Sequence, residues 1–350
     1  MKMKKKIAML LIMAFSATML FGCGSKEDTS KNDSSKSTEE SSKNQETKEL
    51  TKIVISEFRN LSWSAVYVAY QNGYFQEEGL QPEFVSYNDG PVAFQGMHGG
   101  DSQFCLLSQE PVLKAEQEGL DSSIIYSVLD TRLYGFVSTS DITDASQLKG
   151  QAIFAGMPGS APYSFVTSIL RDAGLDPEKD VTLISMDYGA SMAALENGSI
   201  KASYINIDNR IEIEGMDINV LVDTSSAKDS EKYLKADIFT GEIITTTAKY
   251  AQENPETVQK FINAVQKGTN WINTHEGEEV AQLISPLFEG MEQEVLAKKI
   301  DILKGSITKT GYISKESQTA VENFCIGNGV ITKEIPYDEM IDMTFVNAIK

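Results

Sequence analysis

Histidine and cysteine are the scarcest chemistry-bearing residues of this 350-residue chain, which has two of the first and three of the second. Two histidines, His98 and His275, far apart in the sequence, cannot furnish a histidine-rich metal site or a relay of imidazole bases. Three cysteines exclude a disulfide scaffold. Basic residues are also in deficit: 31 Lys plus Arg against 50 Asp plus Glu give a formal charge of −19, the wrong sign for attracting phosphates, so a nucleic-acid role is excluded. No phosphate loop, zinc-ligand spacing or nucleophile elbow is present. What remains is ordinary globular material, 41% hydrophobic and 23% charged, long enough for two domains.

The first 22 residues read as an address. Lys2, Lys4, Lys5 and Lys6 precede an apolar stretch, Ile7 to Phe21, too short for a spanning helix, which needs about 20 residues. It ends in Leu20-Phe21-Gly22-Cys23, which resembles a bacterial lipobox although Phe21 replaces the usual small residue. The resemblance implies lipidation of Cys23 after removal of residues 1–22, which strips four lysines and leaves an exported protein more acidic still. Residues 23–50 contain no aromatic and, after Cys23, a single large aliphatic, Leu50, so nothing offsets the entropy of ordering them. They are expected to form a disordered tether reaching on the order of 30 Å, with the acyl chains anchoring it to a membrane.

From residue 51 strands and helices alternate: KIVIS, a helix ended by Gly73, QPEFVSY, a helix over Val92 to His98, DSQFCLL, a helix, then SSIIYSVLD and LYGFVST. After Lys149-Gly150 the alternation restarts with QAIFAG, a helix over Ser160 to Ala173, VTLISM, a helix over Ala190 to Asn197, IKASYIN and DINVLVD. This pattern predicts α/β lobes with mostly parallel sheets. DIFTGEIITTT reads as one more strand, and the chain beyond Ala248 as almost wholly helical. Those helices need a sheet to cover, and the first lobe lacks them. Two crossovers are therefore expected, near 138–142 and 237–243, with residues 51–138 and 243–350 forming lobe I and 139–242 forming lobe II. Cys105 in an apolar strand and Cys325 in a helix ending at Gly327 read as two buried free thiols rather than a disulfide.

Several segments carry a family resemblance. Asn72-Gly73-Tyr74-Phe75-Gln76-Glu77-Glu78-Gly79-Leu80 is similar to a segment of the NMT1/THI5-like solute-binding proteins, the sulfonate-, nitrate- and pyrimidine-binding receptors of ABC importers. Gln147-Leu148-Lys149-Gly150, Ala173-Gly174-Leu175-Asp176 and Ala193 to Ala202 follow in the family's order, with Lys201 in place of its usual acid. The resemblance spans roughly residues 52 to 250. It implies a type II periplasmic-binding-protein fold whose two lobes close on a ligand by hinge motion.

The location of a ligand site follows independently, because open parallel sheets bind ligands beyond the carboxyl ends of their strands, where helix N-termini present free amides. Those ends supply Arg59, Asn60 and Trp63; Ser108 and Gln109; Gly156, Met157, Pro158, Gly159, Ser160 and Ala161; Asp187, Tyr188 and Gly189; and Asn206 and Asp208. The two glycines of the Gly156 to Ala161 loop permit close backbone approach, although a simple N-cap turn by Ser160 explains the same residues. Of four arginines, Arg59, Arg132 and Arg210 fall at strand ends or connections, where a guanidinium suits a carboxylate, sulfonate or ring acceptor; Arg171 falls on a helix. Trp63, Tyr67, Tyr87, Tyr163, Tyr188 and Tyr204 offer stacking faces, with Tyr67 and Tyr204 fitting a core role equally well.

The expected function is capture of a small organic ligand by a monomeric, membrane-anchored, extracytoplasmic lipoprotein, for delivery to the permease and ATPase subunits of an ABC importer, without metal, cofactor or catalysis. Trp63 and Tyr188 favour a planar nitrogen heterocycle such as a thiamine-type pyrimidine precursor; the arginines and helix N-termini favour a small anion such as an alkyl sulfonate, taurine or nitrate. The alternatives of other classes are a pyrimidine-precursor synthase, which in this family carries a cysteine cluster and an essential histidine, and a surface sensor or adhesin.

Overall fold

The computed structural model describes residues 49–349 except 237. The signal segment, Cys23 and nearly all of the tether lie outside the described residues. In chain order the strands are β1 (Thr51–Glu57), β2 (Leu80–Ser86), β3 (Phe104–Ser108), β4 (Ser122–Leu129), β5 (Tyr134–Thr139), β6 (Ala152–Phe154), β7 (Thr182–Ile184), β8 (Ala202–Asn206), β9 (Ile218–Asp223) and β10 (Glu242–Thr247).

They form two sheets built to one plan, β2-β1-β3-β10-β4 and β7-β6-β8-β5-β9. In each, one strand runs against its neighbours: β10 lies antiparallel between β3 and β4, and β5 antiparallel between β8 and β9. These two strands are where the chain changes lobe.

Apolar residues on both faces of the first sheet, among them Ile53, Ile55, Phe104, Leu106 and Ile243, join one core with the C-terminal helices. Phe104 stacks on Phe261 of the helix Pro255–Ile272 at 3.8 Å, so the late helices cover the early sheet, as the pattern requires. Helix Pro255–Ile272 also packs on Ser64–Gln71 with almost no intervening side chain: a Cβ on Gly268 would meet the Ala65 carbonyl oxygen at 2.2 Å. The second sheet separates two smaller cores, one around Phe136, Ile153 and Phe165 and one around Val137, Phe154 and Ile205. Cys105 and Cys325 are buried free thiols.

The crossover expected at 138–142 lies earlier. Strand β5 pairs Tyr134 with Asn206 and Gly135 with Asp223, so it belongs to the second lobe and the chain crosses over Asp130 to Leu133. The edge of β4 that β5 would need for a hairpin is occupied instead by the C-terminal segment, through bridges of Ile124 with Ile341 and Leu129 with Ile307. The boundary at 138/139 is corrected accordingly. The polar stretch before β10 contributes a helix, Ala227–Tyr233, capped by Ser226, and the long strand read over DIFTGEIITTT shortens to β10.

Candidate ligand-binding site

The two crossovers run side by side. Gly241 donates its N–H to the Leu129 carbonyl at 2.8 Å, and a Cβ on Gly241 would lie 2.7 Å from the Thr131 carbonyl oxygen, which is why a glycine stands there. This contact gathers the carboxyl end of β3, the start of β10, the start of β5 and the end of β8: Glu242 lies opposite Ser108 and Tyr134 opposite Asn206. The site is thus built from both lobes.

Arg132 sits at its centre with 2% exposure. Its guanidinium binds the Glu110 carboxylate with both terminal nitrogens, Nη1 to Oε1 and Nη2 to Oε2 at 3.0 Å, and lies 4.6 Å from the Phe239 ring centroid. Glu242 accepts from the Tyr134 hydroxyl at 3.3 Å through Oε1. Burial pushes the Glu242 carboxyl up to about 8, against the pull of Arg132. Four buried polar atoms here have no hydrogen-bond partner: Gln109 Oε1 and Nε2, Arg132 Nε and Glu242 Oε2. An unpaired buried polar atom costs about 1–3 kcal/mol; Gln109 stands between Ser108, which lies opposite Glu242, and Glu110, which binds Arg132, so four such atoms on these neighbouring segments call for an explanation. Ser62, Arg132, Tyr134, Asn206, Asp208 and Glu242 border a cavity of ≈ 10 Å³, about the room one water needs. An organic ligand enters only if the lobes separate.

A row of rings continues from this point into the second lobe. Tyr204 lies 5.4 Å from Phe154, 5.5 Å from Tyr188 and 6.1 Å from Tyr134, centroid to centroid. The Gly156 loop abuts it, since a Cβ on Gly156 would sit 3.4 Å from Tyr204 Cε1. Beyond the row, Lys299 of the helix Gln293–Lys304 crosses from the first lobe to the 3₁₀ segment Ile207–Ile213 of the second. There it binds Glu212 at 2.6 Å and Asn209, with Asp208 at 3.8 Å. Asn209 in turn donates to the Tyr188 hydroxyl at 2.6 Å. Burial pushes the Asp208 carboxyl up to about 6, with Lys299 opposing.

Arg132, Ser108, Asn206 and Asp208 therefore converge, with Tyr188 and the loop containing Gly156, Gly159, Ser160 and Ala161 alongside. Ser160 acts as the N-cap, accepting from the Tyr163 N–H at 3.4 Å. Arg59 is engaged elsewhere, 3.2 Å from Glu57 and 5.0 Å from the Tyr67 ring. Asn60 spends its side-chain oxygen on the Ser62 N–H, and Arg210 pairs with Asp223 at 2.9 Å. Tyr87 bonds Asp101.

Trp63 is corrected outright. It is fully buried in the first core, its indole N–H bonded to the Phe58 carbonyl at 2.9 Å, because the turn after β1 folds it beneath the sheet end. It has no face to offer a ligand. Tyr204, equally legible as core, is the half-buried ring at the centre of the row. Glu110, Glu242 and Lys299 escaped the sequence reading; an acid followed by the apolar run Glu242-Ile243-Ile244 was the available signal for one of them.

The family model for NMT1/THI5-like proteins matches residues 60–279. The chain belongs to that family. It is 23% identical over 312 residues to the putative binding protein YtlA of Bacillus subtilis, covering 86% of this chain and 90% of that one. It is 24% identical to the riboflavin-binding protein RibY of Chloroflexus aurantiacus, covering 84% and 85%. Among solved structures, the alkanesulfonate-binding protein SsuA of Xanthomonas axonopodis pv. citri, bound to MOPS, superposes with a TM-score of 0.67 at 14% identity, covering 85% of this chain and 99% of that one. The fold is that of the periplasmic binding proteins.

Proposed function

We propose that this NMT1/THI5-like protein is an extracytoplasmic solute receptor that encloses a small organic molecule between its lobes and delivers it to an ABC import permease and its ATPase. The observation that carries this reading is the group of four unpaired buried polar atoms on Gln109, Arg132 and Glu242, set where the two crossovers between the lobes run side by side and flanked by the Tyr204 row. Such a site supplies specific hydrogen bonds and ring faces once the lobes part, and closure on a ligand satisfies the atoms that are otherwise unpaired. The ligand that fits is a planar nitrogen heterocycle, in keeping with a relative named for riboflavin. A small anion is the second reading, favoured by the neighbour solved as an alkanesulfonate-binding protein.

Binding without catalysis accords with the chemistry of the chain's nucleophile candidates. Burial pushes the Cys105 thiol up to about 12, and Cys325 well above its ordinary value, so neither supplies a thiolate. His98 is bonded to Ser122 and His275 is stacked on Trp271, both away from the cleft. Membrane attachment rests on Cys23: Cys23→Ser is expected to leave an unprocessed or released protein. The receptor role is tested by melting the full chain with pyrimidines, flavins, alkyl sulfonates, nitrate and carboxylates. A ligand at a hundred times its Kd adds about 2.7 kcal/mol, and scattering with that ligand is expected to show a radius of gyration no larger than that of the free protein. Absence of any stabilising compound, or an expanded bound form, refutes the reading.

A further inference from the structure

We propose that Glu242 and Gln109 are the ligand-reading pair of the cleft, selecting a neutral or cationic planar ligand that donates an N–H to Glu242 Oε2 and rejecting oxyanions such as sulfonates. The inference rests on the receptor reading above and specifies the chemistry of its ligand.

The basis is an inventory of charges. A fully buried oxyanion gains most from a charge-assisted bond to a free cation, and the cations next to Glu242 and Asp208 are already committed. Arg132 is bound at both terminal nitrogens by Glu110. Lys299 is held by Glu212 and Asn209 with Asp208 beside it. Against these stand carboxyl groups in excess, with Glu242 lacking a cationic partner of its own. An added buried anion beside Glu110, whose charge Arg132 already answers, would have no cation of its own, which is costly in a dry site.

The unpaired atoms describe the ligand's complement. Glu242 Oε2 accepts; Gln109 Oε1 accepts and Nε2 donates; Arg132 Nε donates. A molecule that answers them carries N–H donors together with at least one ring or carbonyl acceptor, as amidines and aminoazines do and sulfonates do not. The neighbouring Tyr204 ring provides a face for such a plane.

The groups facing Glu242 are Arg132, Glu110, Tyr134 and Tyr204, with Asp208 across the same cavity. A donor ligand draws Glu242 into its ionised form, so the affinity of a permanently protonated amidine should rise with pH, approaching tenfold per unit below about 8. An oxyanion accepting from a protonated Glu242 would show the opposite slope.

The test uses the full chain in detergent and a matched panel of one- and two-ring compounds: benzamidines and aminopyrimidines against benzenesulfonates and benzoates, by calorimetry from pH 6.5 to 8.5. Expected are binding of the amino and amidino members, affinity for the amidines rising with pH, and a roughly 10- to 100-fold loss in Glu242→Gln. Gln109→Leu, which leaves the Arg132–Glu110 pair in place, should lose affinity similarly. Tighter binding of a sulfonate with affinity falling as pH rises, or no loss in either folded variant, overturns the assignment while leaving a receptor. Failure of every panel member to bind wild type overturns the receptor reading and this inference with it.

Discussion

Trp63, expected at the cleft, is a core residue, and replacing it and the half-buried Trp271 by alanine tests where the structure puts them. Trp63 is fully buried, meets Phe58 edge-on at 5.5 Å and donates to the Phe58 carbonyl. Truncating a buried tryptophan costs about 3–5 kcal/mol in lost transfer energy and cavity, and stranding the carbonyl adds about 1 kcal/mol. Trp271 is half-buried and stacks on His275 at 3.8 Å; its loss should cost about 1 kcal/mol. Thermal melts followed by far-UV circular dichroism, which does not depend on either indole, should show a fall of about 10 °C for Trp63→Ala and only a small shift for Trp271→Ala. Calorimetry with a confirmed ligand should show little change in affinity for any Trp63→Ala protein that folds. A Trp63→Ala melt within 2 °C of wild type, together with a large loss of affinity, would refute this placement and return the indole to the cleft.

Stability should vary with pH through Glu242. Burial raises its folded pKa to about 8, so the folded state holds a proton that the unfolded chain releases at lower pH; stability is full below the ordinary glutamate value and declines as pH climbs toward 8. Glu242→Gln should flatten that decline in the melting temperature, and equal slopes for the two proteins would contradict it. Asp208, raised to about 6, should add a smaller decline of the same sign at lower pH, removed in Asp208→Asn. Lys299→Met removes the ion pair and hydrogen bonds that tie the first lobe to residues 207–213; scattering of the unliganded protein should report a larger radius of gyration, and an unchanged radius would mean the crossovers alone hold the lobes. Cys105 and Cys325, both buried, should react with a thiol reagent only after denaturant is added, and rapid labelling of the native chain would contradict their burial.

Much of the fold was legible because it rests on local rules. Alternating β and α segments gave the sheets, Gly73 in a left-handed conformation at φ 75° ended its helix as a C′ glycine does, and the surplus of late helices required a return to the first lobe. The position of β5 was not legible. Its neighbours are chosen by competition between sheet edges, and the edge of β4 is filled by Ile307 and Ile341, residues far along the chain whose pairing no local pattern announces. The site shows the same division. Strand-end logic reached Ser108, Arg132, Asn206 and Asp208, yet it could not tell that Arg132 arrives already bound to Glu110, nor that Trp63 turns under while Tyr204 stays at the surface of the cleft. Periodicity assigns a side chain to a face, whereas partner and exposure are set by what the other lobe brings.

The placement of the unpaired polar atoms follows from the crossovers themselves. A strand that changes lobe must enter its sheet at the end facing the other lobe, so the first residue of β10, Glu242, is held at the interlobe surface by the same backbone contact that joins Gly241 to Leu129. Arg132 occupies the corresponding place in the first crossover, three residues after Leu129 and two before Tyr134, and Glu110 lies two residues beyond the end of β3, in the helix Gln109–Gln117. In the proposed receptor, the groups that would meet a ligand and the segments about which the lobes would part are then the same few residues. Parting the lobes must move β5 relative to β10, and the bond from Tyr134 to Glu242 at 3.3 Å spans that pair. A ligand that satisfies Glu242 Oε2 adds a partner on the closed side only, and it shifts the population toward closure by its differential affinity for that state. Removing the span alone, with Tyr134→Phe, tests this step: ligand affinity should fall severalfold while the pH decline of stability due to Glu242 persists. Unaltered affinity in a folded Tyr134→Phe protein would show that closure is set at the Lys299 contacts rather than at the crossovers.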